Sequence, residues 1–200
     1  MLPEHPPLGV EPRWFSVAFI CTGNRARSPF AAELLRQHAG NLPVAVQSFG
    51  TLDLGPAPVL PKALWAAEAL GVDLAPHRAR PLTAGALTSA DLAVGFEPFH
   101  AAAAVVTGNA ERERTFLITE LVPLLDAFRM SLDPTVALRS GDIIALAHTR
   151  RTERHFRPQS VADPVRGSKE DFRAAFEQVS ALVAAIAIGI LGDRAVRPER

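Results

Sequence analysis

Four short apolar runs divide the chain, and most are followed by a stretch with helical spacing. The first, Trp14–Ile20, is apolar on both alternating faces and reads as a buried strand. Val44–Phe49, Asp91–Phe96 and Arg114–Thr119 read as the second, third and fourth strands. Phe30–Gly40 reads as a helix, with Ser28 as N-cap, Pro29 at the first helical position and Gly40 as the stop. Val59–Leu70 has helical spacing and stops at Gly71, and Phe99–Thr107 reads as a further helix. Strands alternating with helices predict a three-layer α/β/α sandwich around a four-stranded parallel sheet. Right-handed crossovers would then put the loop after the first strand at the carboxyl edge of that sheet, where such folds bind ligands.

Beyond the fourth strand, Glu120–Met130 and Pro134–His148 read as two helices joined by a short turn, and Arg150–Gln159 as basic and irregular. Val161–Pro164 reads as a loop. Ser168 and Asp171 have the spacing of a capping box and open a last helix. Phe172, Ala175, Phe176, Val179, Leu182, Val183 and Ile186 mark its apolar stripe. The expected organisation is a tail over 1–13, one domain over 14–192 carrying a helical and basic insertion over 121–160, and a tail over 193–200.

Composition narrows this little. Apolar residues make up 48% of the 200, enough for a full core. A formal net charge of zero offers no global attraction for nucleic acid or an anionic membrane. A single cysteine excludes an intramolecular disulfide and a multi-thiolate metal site, and fits a cytoplasmic location. The first thirteen residues carry no apolar export signal. The apolar run Ala181–Leu191 is too short for a bilayer and reads as the buried face of a core helix. His5, His38, His100, His148 and His155 show no metal-ligand spacing, and a solvated or structural role is expected. The sequence sets no oligomeric state.

The chemistry concentrates in Cys21-Thr22-Gly23-Asn24-Arg25-Ala26-Arg27-Ser28-Pro29, between the first strand and the first helix. A tight loop leading into a helix N-terminus gathers backbone N–H groups into an anion-binding nest. A cysteine opens this loop and an arginine closes it. Helix N-termini and guanidinium groups favour the thiolate form of a nearby cysteine. An oxyanion in the nest would lie over a nucleophilic sulfur.

From Phe15 to Ile190 the chain resembles the low-molecular-weight protein tyrosine phosphatases. The loop matches that family's phosphate loop. Asp163-Pro164 is similar to its general-acid loop, Ser48-Phe49-Gly50-Thr51 to its Ser-Ala-Gly-Thr turn, and His77-Arg78-Ala79-Arg80 to its His-x-Ala-Arg segment. The resemblance implies a cysteine-dependent phosphomonoesterase with a thiophosphate intermediate. Cys21 would be the nucleophile. Arg27 would hold two equatorial oxygens with its planar fork. Backbone N–H groups of Thr22, Gly23, Asn24, Arg25, Ala26, Arg27 and Ser28 would bind the rest. Ser28 would also donate to the sulfur, and Ser48 and His77 would pin Asn24, a residue type that tolerates a left-handed backbone. Asp163 would protonate the leaving oxygen and then activate water. No metal or other cofactor is needed, because the loop and the arginine supply the charge.

The chain departs from that family in ways that bear on substrate. Ala26 stands where many members have a second, redox-protective cysteine. Val165 and Arg166 follow Asp163-Pro164 where phosphotyrosine-selective members carry aromatic rings, Leu54 lies where an aromatic wall often stands, and the chain has no tyrosine. Arg150, Arg151, Arg154 and Arg157 precede the acid loop. The resemblance favours a phosphotyrosine protein as substrate partner. The arginines, with a rim of Leu54, Arg157 and Arg166, favour a small anionic phosphorylated molecule. Arsenate reduction with an external thiol is a further alternative; a relay through several cysteines is excluded.

Overall fold

The computed structural model describes residues 14–129, 139–153 and 159–192. Four parallel strands, β1 (Phe15–Cys21), β2 (Val44–Gly50), β3 (Leu92–Gly95) and β4 (Thr115–Leu117), form one sheet in the order β2-β1-β3-β4. Helices α1 (Arg27–Ala39), α2 (Pro61–Glu68), α3 (Pro98–Val106), α4 (Ile118–Arg129), α5 (Ser140–Glu153) and α6 (Lys169–Leu191) flank it, with single 3-10 turns at Arg112–Arg114 and Pro164–Arg166. The chain leaves β1 for one neighbour, β2, and later returns to its other side with β3. The carboxyl end of β1 is therefore the topological switch point, and Cys21 is its last residue.

Alternation along β1 feeds two cores. Val17, Phe19 and Cys21 face a large cluster shared with α1, α2, α4, α5 and α6, while Ala18 and Ile20 face a smaller one with Leu82, Leu87 and Ala104 of α3. Phe30 of α1 stacks on Phe176 of α6 with ring centroids 4.1 Å apart, which clamps the helix carrying the loop to the last helix. By length and hydropathy α6 meets the requirements of a membrane span, but half of its most apolar window is buried. Of its expected stripe, Phe172, Ala175, Phe176, Val179, Val183 and Ile186 are buried, and Leu182 is partly so.

Three expectations are corrected. Helix α1 starts at Arg27 with Ala26 as an N-cap that makes no side-chain bond; Ser28 lies inside the first turn, where its hydroxyl serves the sulfur instead. The fourth strand is only three residues long, because Ile118 and Thr119 already belong to α4. The basic stretch from Arg150 is not irregular at its start: α5 continues to Glu153. The expected tails over 1–13 and 193–200, and Pro134, Arg154 and Arg157, lie outside the described residues.

Candidate active site

The loop between β1 and α1 is built around Asn24, which is fully buried with φ +52°. Its side chain donates to Ser28 Oγ and Ser48 Oγ, both at 2.9 Å, and its Oδ1 accepts from the Arg80 N–H at 2.9 Å. His77 Nε2–H donates to the Asn24 carbonyl at 2.9 Å; burial lowers the His77 pKa, and this bond partly opposes that shift. The amide side chain satisfies three demands at once here, and its residue type tolerates the left-handed backbone. Gly50 lies beneath the loop. A Cβ there would come to 3.0 Å from the Thr22 carbonyl oxygen, the Gly23 carbonyl carbon and the Asn24 nitrogen, so a side chain would lift the loop.

Thr22, Gly23, Asn24, Arg25 and Ala26 donate their backbone N–H groups to no acceptor among the described residues. Such unpaired N–H groups at a helix start form an anion site. Cys21 Sγ lies 3.0 Å from Ser28 Oγ. Because Asn24 donates to that oxygen, the Ser28 proton has two acceptors in reach, the sulfur at 3.0 Å and the Phe49 carbonyl at 3.4 Å, and a thiolate would draw it to the sulfur.

Arg27 is 1% exposed, and three acceptors surround it. Nη1 contacts Glu97 Oε1 at 2.7 Å and the Val161 carbonyl at 2.8 Å, and Nη2 contacts Asp163 Oδ2 at 2.8 Å. The guanidinium also lies 5.8 Å from the centroid of the Phe96 ring. Asp163 thus meets Arg27 directly, although the two are far apart in sequence. Its other oxygen caps the short turn Pro164–Arg166 by accepting the Val165 N–H. Asp171 closes the capping box of α6 with Ser168.

Sequence reasoning missed Glu97, Thr22 Oγ1 and His100. Glu97 ends the segment after β3, and β3 pairs with β1 up to Gly95 opposite Ile20. An acidic residue just past a strand next to the switch point was the available signal. His100 is fully buried, with Nε2 3.1 Å from Thr22 Oγ1.

Leu52, Leu54 and Val165 are exposed, and Leu54 lies against Gly23 of the loop. Arg166 is exposed three residues after Asp163. Arg25 is held by the Pro58 carbonyl at 2.7 Å. Arg151, one of the arginines expected before the acid loop to favour an anionic substrate, is committed elsewhere. It forks onto Glu120 at 2.8 and 2.9 Å, bonds the Thr115 carbonyl and covers the Phe116 ring at 4.0 Å, which ties α5 to β4 and α4. Arg154 and Arg157 lie outside the described residues. Among the described residues no group of three or more His, Cys, Asp or Glu side chains is arranged to hold a metal ion.

A family model described as low molecular weight phosphotyrosine protein phosphatase matches residues 16–135. The probable low molecular weight protein-tyrosine-phosphatase EpsP of Ralstonia nicotianae is 36% identical over 77 residues, 38% of this chain and 52% of that protein. The chain therefore spans about half the length of the EpsP relatives it matches. The low molecular weight protein-tyrosine-phosphatase Etp of Escherichia coli K12 is 34% identical over 121 residues, 59% of this chain and 80% of that protein. Two solved structures share the fold. Vibrio vulnificus Wzb in complex with benzylphosphonate is 21% identical with a TM-score of 0.64, over 87% of this chain and 97% of that one. YwlE arginine phosphatase from Geobacillus stearothermophilus is 22% identical with a TM-score of 0.64, over 86% and 90%.

Proposed function

The chain belongs to the low molecular weight phosphotyrosine protein phosphatase family, and from that premise we propose that it hydrolyses phosphate monoesters through a thiophosphate on Cys21. The observation that carries the proposal is the run of unpaired N–H groups from Thr22 to Ala26, wrapped around a sulfur and closed by a buried arginine. In the first step the Cys21 thiolate attacks phosphorus, a P–S bond forms, and the ester P–O bond breaks. Asp163 gives its proton to the departing oxygen. In the second step Asp163 takes a proton from water, the water oxygen attacks phosphorus, and the sulfur leaves as thiolate with Ser28 donating to it. The loop N–H groups and Arg27 stabilise the equatorial oxygens in both steps.

Asp163 bonds the Nη2 atom of Arg27, which the fork of a bound oxyanion would also use. Substrate entry therefore exchanges one carboxylate for a phosphoryl oxygen at Nη2, while Glu97 and Val161 keep Nη1 in place. The displaced carboxylate stays beside the incoming group, as an acid for the leaving oxygen must.

Asp163→Asn is the direct test. The turnover of alkyl phosphate monoesters should fall on the order of 10²–10⁴-fold. Loss with p-nitrophenyl phosphate should be smaller, because that phenolate leaves without a proton. Equal losses with both substrates, measured in steady state, would make Asp163 structural and would remove the acid from this mechanism.

Among substrates, the relatives named protein-tyrosine-phosphatases support a phosphoprotein. One feature favours an anionic phosphomonoester instead: exposed Val165 and Arg166 follow the acid, and Leu54 lies against the loop at Gly23, with no ring at these positions. Under this second reading, Arg166→Ala lowers kcat/KM for a phosphomonoester bearing a second phosphate or a carboxylate, and added salt does the same as the Debye length falls below ~10 Å. Hydrolysis of p-nitrophenyl phosphate responds much less. An unchanged ratio between the two substrates would return the lead to the phosphoprotein reading.

A further inference from the structure

His100 is the third residue of α3 and makes no contact with the reacting atoms, yet its ring is committed on both sides. Nδ1 accepts the Glu97 N–H at 3.1 Å, which completes the cap of α3. A nitrogen that accepts carries no proton, so the neutral ring holds its hydrogen on Nε2. Nε2 is 3.1 Å from Thr22 Oγ1, so the ring donates and the hydroxyl accepts. Burial, helped by the Arg27 charge, holds the His100 pKa down to about 3, which keeps this one tautomer at ordinary pH.

Thr22 is the residue immediately after the nucleophile. On the β2 side its carbonyl accepts from the Leu52 N–H at 2.9 Å and from Thr51 Oγ1 at 3.4 Å. On the β3 side its side chain is held only by His100 among the described residues. The same cap that presents His100 also presents Glu97, whose carboxylate accepts from the His100 backbone and from Arg27 Nη1. One helix start therefore grips the loop near both its ends, at Thr22 and at Arg27.

We infer that His100 is a positioning residue for the anion-binding loop, acting through the Thr22 hydroxyl to keep the first loop N–H groups in register with the Arg27 fork. This rests on the phosphatase reading for its role in turnover, but not for its effect on oxyanion binding. Donors aimed at one oxyanion lose much of their effect when displaced by a fraction of an ångström, since the energy lies in preorganisation. A neutral donor of fixed reach suits the task. A cationic side chain would add charge beside Arg27, and a phenyl ring would leave both Thr22 and the Glu97 N–H without a partner.

The test uses the full chain, four variants and vanadate as probe. His100→Asn keeps an amide oxygen where Nδ1 stood, so the cap of α3 survives, but it has no donor at the Nε2 position. His100→Gln places an amide nitrogen near Nε2. Thr22→Val removes the acceptor. By calorimetry, His100→Asn and Thr22→Val should each bind vanadate about tenfold more weakly than wild type, the upper value of one neutral hydrogen bond. The double variant should be no weaker than either single one. His100→Gln should recover most of the loss, and kcat/KM for p-nitrophenyl phosphate should follow the same order. Wild-type vanadate affinity in Thr22→Val overturns the inference, as does a double variant whose loss is the product of the two single losses. Thr22→Val leaves the α3 cap untouched, so it decides the matter even if His100→Asn folds poorly. Vanadate binding needs no turnover; an inactive wild type that binds vanadate would sink the phosphatase reading and leave this result readable.

Discussion

Cys21→Ser is expected to lower turnover by about 10⁴-fold or more while inorganic phosphate still binds close to wild-type affinity. The two outcomes separate because they use different atoms. Binding relies on the N–H groups of Thr22 to Ala26 and on Arg27, none of which the substitution touches. Turnover needs a nucleophile that is ionised near neutral pH and can depart again from phosphorus. A serine hydroxyl at a helix start is neither, because its proton must be removed first and no base is bonded to Cys21 Sγ among the described residues. The atom next to that sulfur is Ser28 Oγ, a donor that suits a thiolate. The volume change is small, and Cys21 is 3% exposed at the end of a central strand, so folding should be little affected. Steady-state turnover within a few-fold of wild type would end the covalent-cysteine mechanism. Loss of phosphate binding together with activity would show that the substitution had disturbed the loop.

Arg27→Lys should cost on the order of 10³-fold in kcat/KM although the charge is kept. The arginine has two separate tasks. Nη1 is occupied by Glu97 and Val161, which fix the plane of the guanidinium, and Nη2 faces Asp163 and the site. One ammonium group cannot hold the first pair of acceptors and still present a planar fork to two oxygens. A lysine would satisfy Glu97 and leave the oxyanion, or the reverse. Phosphate affinity should fall along with turnover, which distinguishes this variant from Cys21→Ser. A lysine variant that keeps most of its rate would reduce Arg27 to a point charge. A urea midpoint measured in parallel shows how much of the loss comes from folding, since Arg27 is nearly fully buried.

The parts of the site that sequence made legible are those written locally. Trp14 to Ala39 carries strand, loop and helix in one stretch, and a strand buried on both faces is read from an unbroken apolar run. Asn24 could be placed because its residue type answers a backbone need of the loop, whereas Gly50 came only with the resemblance of Ser48-Phe49-Gly50-Thr51 to the family's turn. Glu97 and His100 were not legible, because what matters in them is adjacency across the sheet. Glu97 meets Arg27 over a separation of 70 residues and His100 meets Thr22 over 78, and only the pairing of β3 with β1 brings them together. Arg151 misled for the opposite reason. It lies close to the acid loop in sequence, but a continuing α5 turns it toward Glu120 and Phe116. Ser28 had the right composition for a cap, and a competing demand from the sulfur took its hydroxyl.

The closure of Arg27 by Val161 and Asp163 reaches across most of the chain, with a separation of 134 positions between the arginine and the first of these partners. The acid loop leads directly into α6, and α6 is the helix that packs against α1 behind the nucleophile. During synthesis the Cys21 loop thus leaves the ribosome well before Asp163 and α6. Under the mechanism proposed above, a nascent chain that has released only the loop holds the sulfur without the acid. Turnover would then begin only once α6 has docked on α1, and activity per molecule would report completed folding.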